Sequence, residues 1–251
     1  MKDQIFDDKS ITAAGLMTTE GEINKFSFTE QVSLVFDDMV SRSIPGYDYV
    51  QDLTANLVQT LNLTKDDIIY DLGCSTGTSL LKIAISLETK PKLVGIDTSA
   101  PMIKRAKEKS SAFGLAQDIE FLEADILNFE LKPAKCILSH YTIQFIEPSL
   151  RAEIFKNIYN SLIPGGYFLF SEKVFHNDIQ FENFTTKHYY DFKERNGYSK
   201  LEIMRKRQAL ENVLRPYTTE QNLAALRDAG FNFVDIVSKQ LCFVTFVAKR
   251  S

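Results

Sequence analysis

The stretch "IIYDLGCSTGTSLLKIA", residues 68–84, decides the fold, because a short β-branched run passes through two glycines into a helical pattern. "IIYDL" has strand character, "TGTSLLKIAISL" has helical periodicity, and Gly73 and Gly77 bracket the turn between them. A glycine at the end of a strand lets backbone approach a ligand, and a second one relieves packing where the helix begins. Ser75 stands where a dinucleotide loop would carry a further glycine. Three readings follow from these residues: an altered dinucleotide loop, a loop for another adenosine compound, or a plain tight turn.

Outward from the loop the alternation continues. "KLVGID", "DIEFLEAD", "AKCILS" and "GGYFLFSEKV" read as strands, and "SAPMIKRAKEKSSAF" and "SLRAEIFKNIYNSL" as helices between them. Such alternation predicts a mostly parallel sheet covered by helices. Pro164-Gly165-Gly166 is expected to end the second of these helices before the next strand starts. "FNFVDIVSK" and "LCFVTFVAK" are close enough to form a hairpin, which makes the last strand antiparallel. Residues 1–60 are expected to be a helical N-terminal cover, 61–175 the core, 176–215 a helical insertion, and 216–251 the C-terminal part of the core sheet.

Composition narrows the function. Net charge is −4 and the pI near 5.5, so the clustered positive surface that nucleic-acid binding needs is not expected. No stretch approaches the ~18 apolar residues of a membrane span. The start "MKDQIFDDKS" lacks the basic and then apolar pattern of a secretory signal, so a cytoplasmic location is expected. Cys74, Cys136 and Cys242 have no metal-ligand spacing and read as buried thiols, and no metal is expected. The basic run 205–207 reads first as a solvated helix face, with Arg207 and Glu211 as an i,i+4 pair.

Loops at successive strand ends form one ligand edge in an open α/β sheet. Asp97 closes "VGID" about twenty residues after the glycine loop, the spacing of a ribose-binding carboxylate. Its competing reading is an N-cap, which Thr98 or Ser99 can supply instead. Asp125 in "EADIL" is placed to accept from an adenine amino group, with Ile126 over the ring. Asp71, just before the loop, disfavours a diphosphate and suits a cationic group such as a sulfonium with its ammonium. The loop therefore looks like one for S-adenosyl-L-methionine, and the implied sheet order resembles the Rossmann-like class I methyltransferase fold.

"VFDDMVSRSIPGY", "YDLGCSTG", "DTSAPMIKRAK", "TIQFIEP", "LIPGGYFLFSEK", "FKERNGYSKLEI" and "KRQALENVL" together resemble the carboxy-S-adenosylmethionine synthase family, over roughly residues 26–248 and through the insertion. The resemblance implies conversion of S-adenosylmethionine and prephenate into carboxy-S-adenosylmethionine and phenylpyruvate. In the implied mechanism prephenate loses carbon dioxide in a closed pocket, and a sulfonium ylide captures it. A partner enzyme then uses the product to modify a tRNA wobble uridine, so this chain need not bind nucleic acid; a homodimer is expected. Carried onto this sequence, the cofactor contacts fall on Tyr47, Gly73, Cys74, Ser75, Asp97, Thr98, Asp125 and Ile126, and the carboxylate-holding arginine on Arg207. That position moves Arg207 from a surface charge to a catalytic candidate, since guanidinium binds carboxylate bidentately. His140 stands where the family has asparagine and is expected to titrate near neutral pH close to the sulfonium. "QLCFVTFVAK" departs from the family's ending. An ordinary small-molecule methyltransferase and a non-catalytic S-adenosylmethionine-binding protein remain the alternatives.

Overall fold

The computed structural model describes residues 27–251 except Asn212, so the first part of the expected N-terminal cover, residues 1–26, lies outside the described residues. Two helices come first, α1 (Glu30–Ser43) and α2 (Tyr47–Gln59). The side chain of Thr29 caps α1 by accepting from the amide of Val32. Gly46 makes the left-handed turn between the two helices at φ 71°, where a β-carbon would sit 2.1 Å from the Gln240 amide.

The sheet then builds in βα units: β1 (Ile68–Leu72), α3 (Thr78–Ser86), β2 (Lys92–Asp97), α4 (Ala100–Ala112), β3 (Ile119–Glu123), β4 (Ala134–His140), α5 (Pro148–Ser161) and β5 (Leu162–Lys173). Next come α6 (Ile179–Arg195), α7 (Lys200–Leu210), α8 (Thr219–Ala229), β6 (Phe233–Gln240) and β7 (Phe243–Lys249). The strand order is β3-β2-β1-β4-β5-β7-β6, with β7 antiparallel to both β5 and β6. This is the expected mostly parallel sheet with its antiparallel last strand. The order runs one way from β1 to β3 and the other way from β4, so the switch point lies between β1 and β4.

The strands carry apolar residues on both faces because both faces are covered. On one side Tyr70, Leu72, Val94, Ile96, Phe168 and Phe170 pack with residues of α5 and α8. On the other, Ile69, Leu93, Cys136 and Leu138 pack with residues of α2, α3 and α4. Cys74, Cys136 and Cys242 are buried free thiols.

One expectation fails. Pro164-Gly165-Gly166 does not separate helix from strand, because α5 ends at Ser161 and β5 begins at Leu162. The three residues instead form an irregularity inside the strand: Ala134 pairs with Leu162 and Cys136 with Tyr167, so the intervening chain is accommodated as a bulge with Gly165 at φ 76°. The insertion is helical, with a capping box between Ser199 and Glu202 starting α7.

Candidate functional site

A cavity of about 640 Å³ opens over the C-terminal ends of the strands at the switch point, within the ~300–1,000 Å³ usual for small-molecule sites. It is roofed by α1 and α2 on one side and by α6 and α7 on the other. The loop after β1 forms its floor. The amides of Gly73 and Cys74 both donate to Ile96 O, at 2.8 and 3.0 Å, which fastens the loop to the neighbouring strand. Ser75 adopts φ 47°, a left-handed conformation that costs a non-glycine residue energy. That conformation directs its amide to Asp97 Oδ2 at 2.9 Å.

All eleven residues expected at the site line this cavity: Tyr47, Asp71, Gly73, Cys74, Ser75, Asp97, Thr98, Asp125, Ile126, His140 and Arg207. Their settings differ. Asp97 Oδ1 accepts from the amide of Ser99, while Ser99 itself caps α4, so the N-cap reading of Asp97 is excluded. Each Asp97 oxygen keeps a second lone pair for a ligand hydroxyl. Asp71 is buried, and burial followed by the nearby Asp97 pushes its carboxyl up to about 7, with a Ser79 hydrogen bond working against the shift. A cation beside it would draw Asp71 to its ionised form. Asp125 is exposed and turns its own loop by accepting from Leu127 N at 2.9 Å. Cys74 is buried with its sulfur close to Gly95, where an added β-carbon would lie 2.9 Å from Sγ.

His140 behaves differently from the expectation of a near-neutral titration. Burial pushes its imidazolium pKa down to about 4, so the ring is neutral at physiological pH. Both nitrogens are engaged, Nε2 with Thr54 Oγ1 at 3.1 Å and Nδ1 with Ser171 Oγ at 2.8 Å. Arg207 also departs from its first reading. It forms no ion pair with Glu211 among the described residues, because Glu211 leaves the helix in extended conformation as its C-cap. Its side chain is exposed at the cavity mouth.

Other lining residues are given no role by the sequence. Lys173 at the end of β5, Lys193 on α6 and Lys206 on α7 converge here, with Tyr189, Tyr190 and Phe243 as an aromatic wall. The wall is packed edge to face, Tyr189 against Phe243 at 5.3 Å and Tyr141 against Phe243 at 6.1 Å. Asp37 of α1 accepts from Thr76, Thr78 and Lys109, so α1 is tied to the glycine loop and to α4. Among the described residues no group of three His, Cys, Asp or Glu side chains is arranged to hold a metal ion.

The cavity is therefore divided by charge. Asp71 in β1, Asp97 at the end of β2 and Asp125 in the loop after β3 lie on one side, whereas Lys173, Lys193, Lys206 and Arg207, with the single carboxylate Glu211, come from β5 and the insertion across the switch point.

Residues 69–166 match the family model described as a methyltransferase domain. A carboxy-S-adenosyl-L-methionine synthase from a Nitratiruptor species is 44% identical over 224 residues, covering 89% of this chain and 92% of its own. A protein of the same description from Wolinella succinogenes is 44% identical over 234 residues, covering 92% and 96%. Among solved structures, human N-acetylserotonin methyltransferase in complex with S-adenosylmethionine superposes with a TM-score of 0.60 at 18% identity, over 88% of this chain and 55% of that one. At that identity the likeness concerns the fold.

Proposed function

The chain belongs to the carboxy-S-adenosyl-L-methionine synthase family, and on that premise we propose how its cavity converts S-adenosyl-L-methionine and prephenate into carboxy-S-adenosyl-L-methionine and phenylpyruvate. The product supplies the carboxymethyl group for modification of tRNA wobble uridines, a step left to a second enzyme. In the overall reaction prephenate loses carbon dioxide, which the methyl carbon of S-adenosyl-L-methionine gains in exchange for a proton. The ring hydroxyl of prephenate departs with that proton as water.

The observation that carries this reading is the division of charge along one cavity, acidic at the C-terminal ends of β1 to β3 and predominantly basic across the switch point. The acidic end suits S-adenosyl-L-methionine. In our reading Asp97 accepts from the ribose hydroxyls, and Asp125 and Ile126 receive the adenine. Asp71 faces the cationic part, while Tyr47, Thr98 and the backbone of Gly73, Cys74 and Ser75 fit around the molecule. His140, neutral and held on both nitrogens, presents no competing charge near the sulfonium. The basic end suits a donor with two carboxylates. The chain's tasks are to bring the reactants together and to keep water from the carbon that receives carbon dioxide.

Arg207 is the residue we assign to the newly formed carboxylate. Arg207→Ala should weaken carboxy-S-adenosyl-L-methionine more than S-adenosyl-L-methionine, which has no charge at that carbon. For a side chain exposed at the mouth we expect a difference of about 1–2 kcal/mol, roughly 5- to 30-fold. Competition binding of the two ligands to wild type and variant measures it. Equal losses for both would remove Arg207 from the carboxylate site and favour an ordinary methyltransferase.

We expect the enzyme to act in the cytosol as a homodimer that does not itself hold tRNA. No described helix is long and apolar enough to cross a membrane. Residues 61–175 and 216–251 would form the binding core, with the helical segment before residue 60 and the 176–215 insertion as its covers.

A further inference from the structure

We propose that Lys173 and Lys193 form the subsite for a carboxylate of the donor, with Tyr189, Tyr190 and Phe243 against the donor's ring. The proposal rests on the reaction assigned above and deepens it, since Arg207 is reserved there for the product's carboxylate.

The geometry points this way on several counts. Lys193 is 5% exposed, and its ammonium lies 4.6 Å from the centre of the Tyr189 ring. Lys173 approaches the same ring at 5.1 Å. Among the described residues neither lysine pairs with a carboxylate, whereas the partly buried Lys109 of α4 is neutralised by Asp37. Lys206, the third lysine of the cavity, already donates to Ser43 Oγ at 3.0 Å.

A buried ammonium without a counterion is unfavourable, and proteins rarely retain one in the core. Burial, reinforced by Lys206 and Lys173, pushes the pKa of Lys193 well below the ordinary lysine value. Cation–π contact with Tyr189 offsets only part of the lost hydration. An entering carboxylate would supply the missing counterion to both groups. A six-membered unsaturated ring carrying that carboxylate would then meet the Tyr189, Tyr190 and Phe243 wall on the same side of the cavity. A methyl acceptor without charge gives no reason for two lysine side chains without a carboxylate partner in a cleft that contains so much apolar surface.

Steady-state kinetics with S-adenosyl-L-methionine and prephenate test the proposal in Lys193→Met and Lys173→Met, which keep length and remove charge. The KM for prephenate should rise about thirty-fold or more in Lys193→Met, the loss seen when one member of a buried charge pair is removed, and less in Lys173→Met. Affinity for S-adenosyl-L-methionine, measured by calorimetry, should be unchanged in both. If Lys193→Met does not fold, the rise in Lys173→Met decides. An unchanged KM for prephenate in a folded variant would overturn the proposal and leave the lysines as packing partners of Tyr189. A wild type that does not convert prephenate at all would instead overturn the reaction on which the proposal rests.

Discussion

Gly73→Val is expected to reduce S-adenosyl-L-methionine affinity at least about 100-fold, corresponding to a cost of roughly 3 kcal/mol. Gly73 has φ 80°, and a β-carbon there would lie 2.2 Å from Thr142 Oγ1. Thr142 cannot step aside freely, because its hydroxyl lies 3.3 and 3.2 Å from the carbonyls of Gly73 and His140 and shares its one proton between them. A valine in left-handed conformation costs about 1–2 kcal/mol, and displacing a packed neighbour adds typically about 1–3 kcal/mol. The loop would have to move, and with it the backbone that meets the ligand. Calorimetric titration together with a melting curve checks this. Wild-type affinity in the variant would show that the ligand does not rely on the close approach at Gly73.

Asp97→Ala is expected to cost a similar amount by a different route. The carboxylate holds the amides of Ser75 and Ser99, each at 2.9 Å, and in our account also accepts from the ribose. Each charge-assisted bond contributes roughly 1.5–3 kcal/mol, so loss of the ligand contacts together with the loop fastening should weaken binding by about 3 kcal/mol or more. Asp97→Asn should fall between, because an amide presents one acceptor oxygen where the carboxylate presents two. A folded alanine variant that binds S-adenosyl-L-methionine as tightly as wild type would take Asp97 out of the site.

Both substitutions fall in the part of the molecule that was legible in the sequence. Glycine conformations and strand-end acids are local features, fixed by a few neighbouring residues, so Gly73, Asp97 and Asp125 can be placed at one sheet edge from spacing alone. The βα alternation gave the parallel sheet for the same reason. Pro164-Gly165-Gly166 misled because a bulge and a helix stop use the same residues, and only pairing with β4 distinguishes them. His140 misled because its titration depends on burial, which arises only when segments distant in sequence fold around the ring.

The basic end was hidden more deeply. Lys173, Lys193 and Lys206 lie on three different elements and meet only because the insertion folds back over the end of β5. Each alone reads as a surface charge.

If one cavity moves a carboxyl group from donor to S-adenosyl-L-methionine, the transferred carbon can be followed from one molecule to the other. Prephenate labelled with carbon-13 in its ring carboxylate would be incubated with the purified protein and S-adenosyl-L-methionine, and the products read by mass spectrometry. The expected product is carboxy-S-adenosyl-L-methionine carrying the label, formed in equal amount with phenylpyruvate. S-adenosyl-L-methionine recovered unchanged beside intact prephenate, or a carboxylated product without the label, would contradict it.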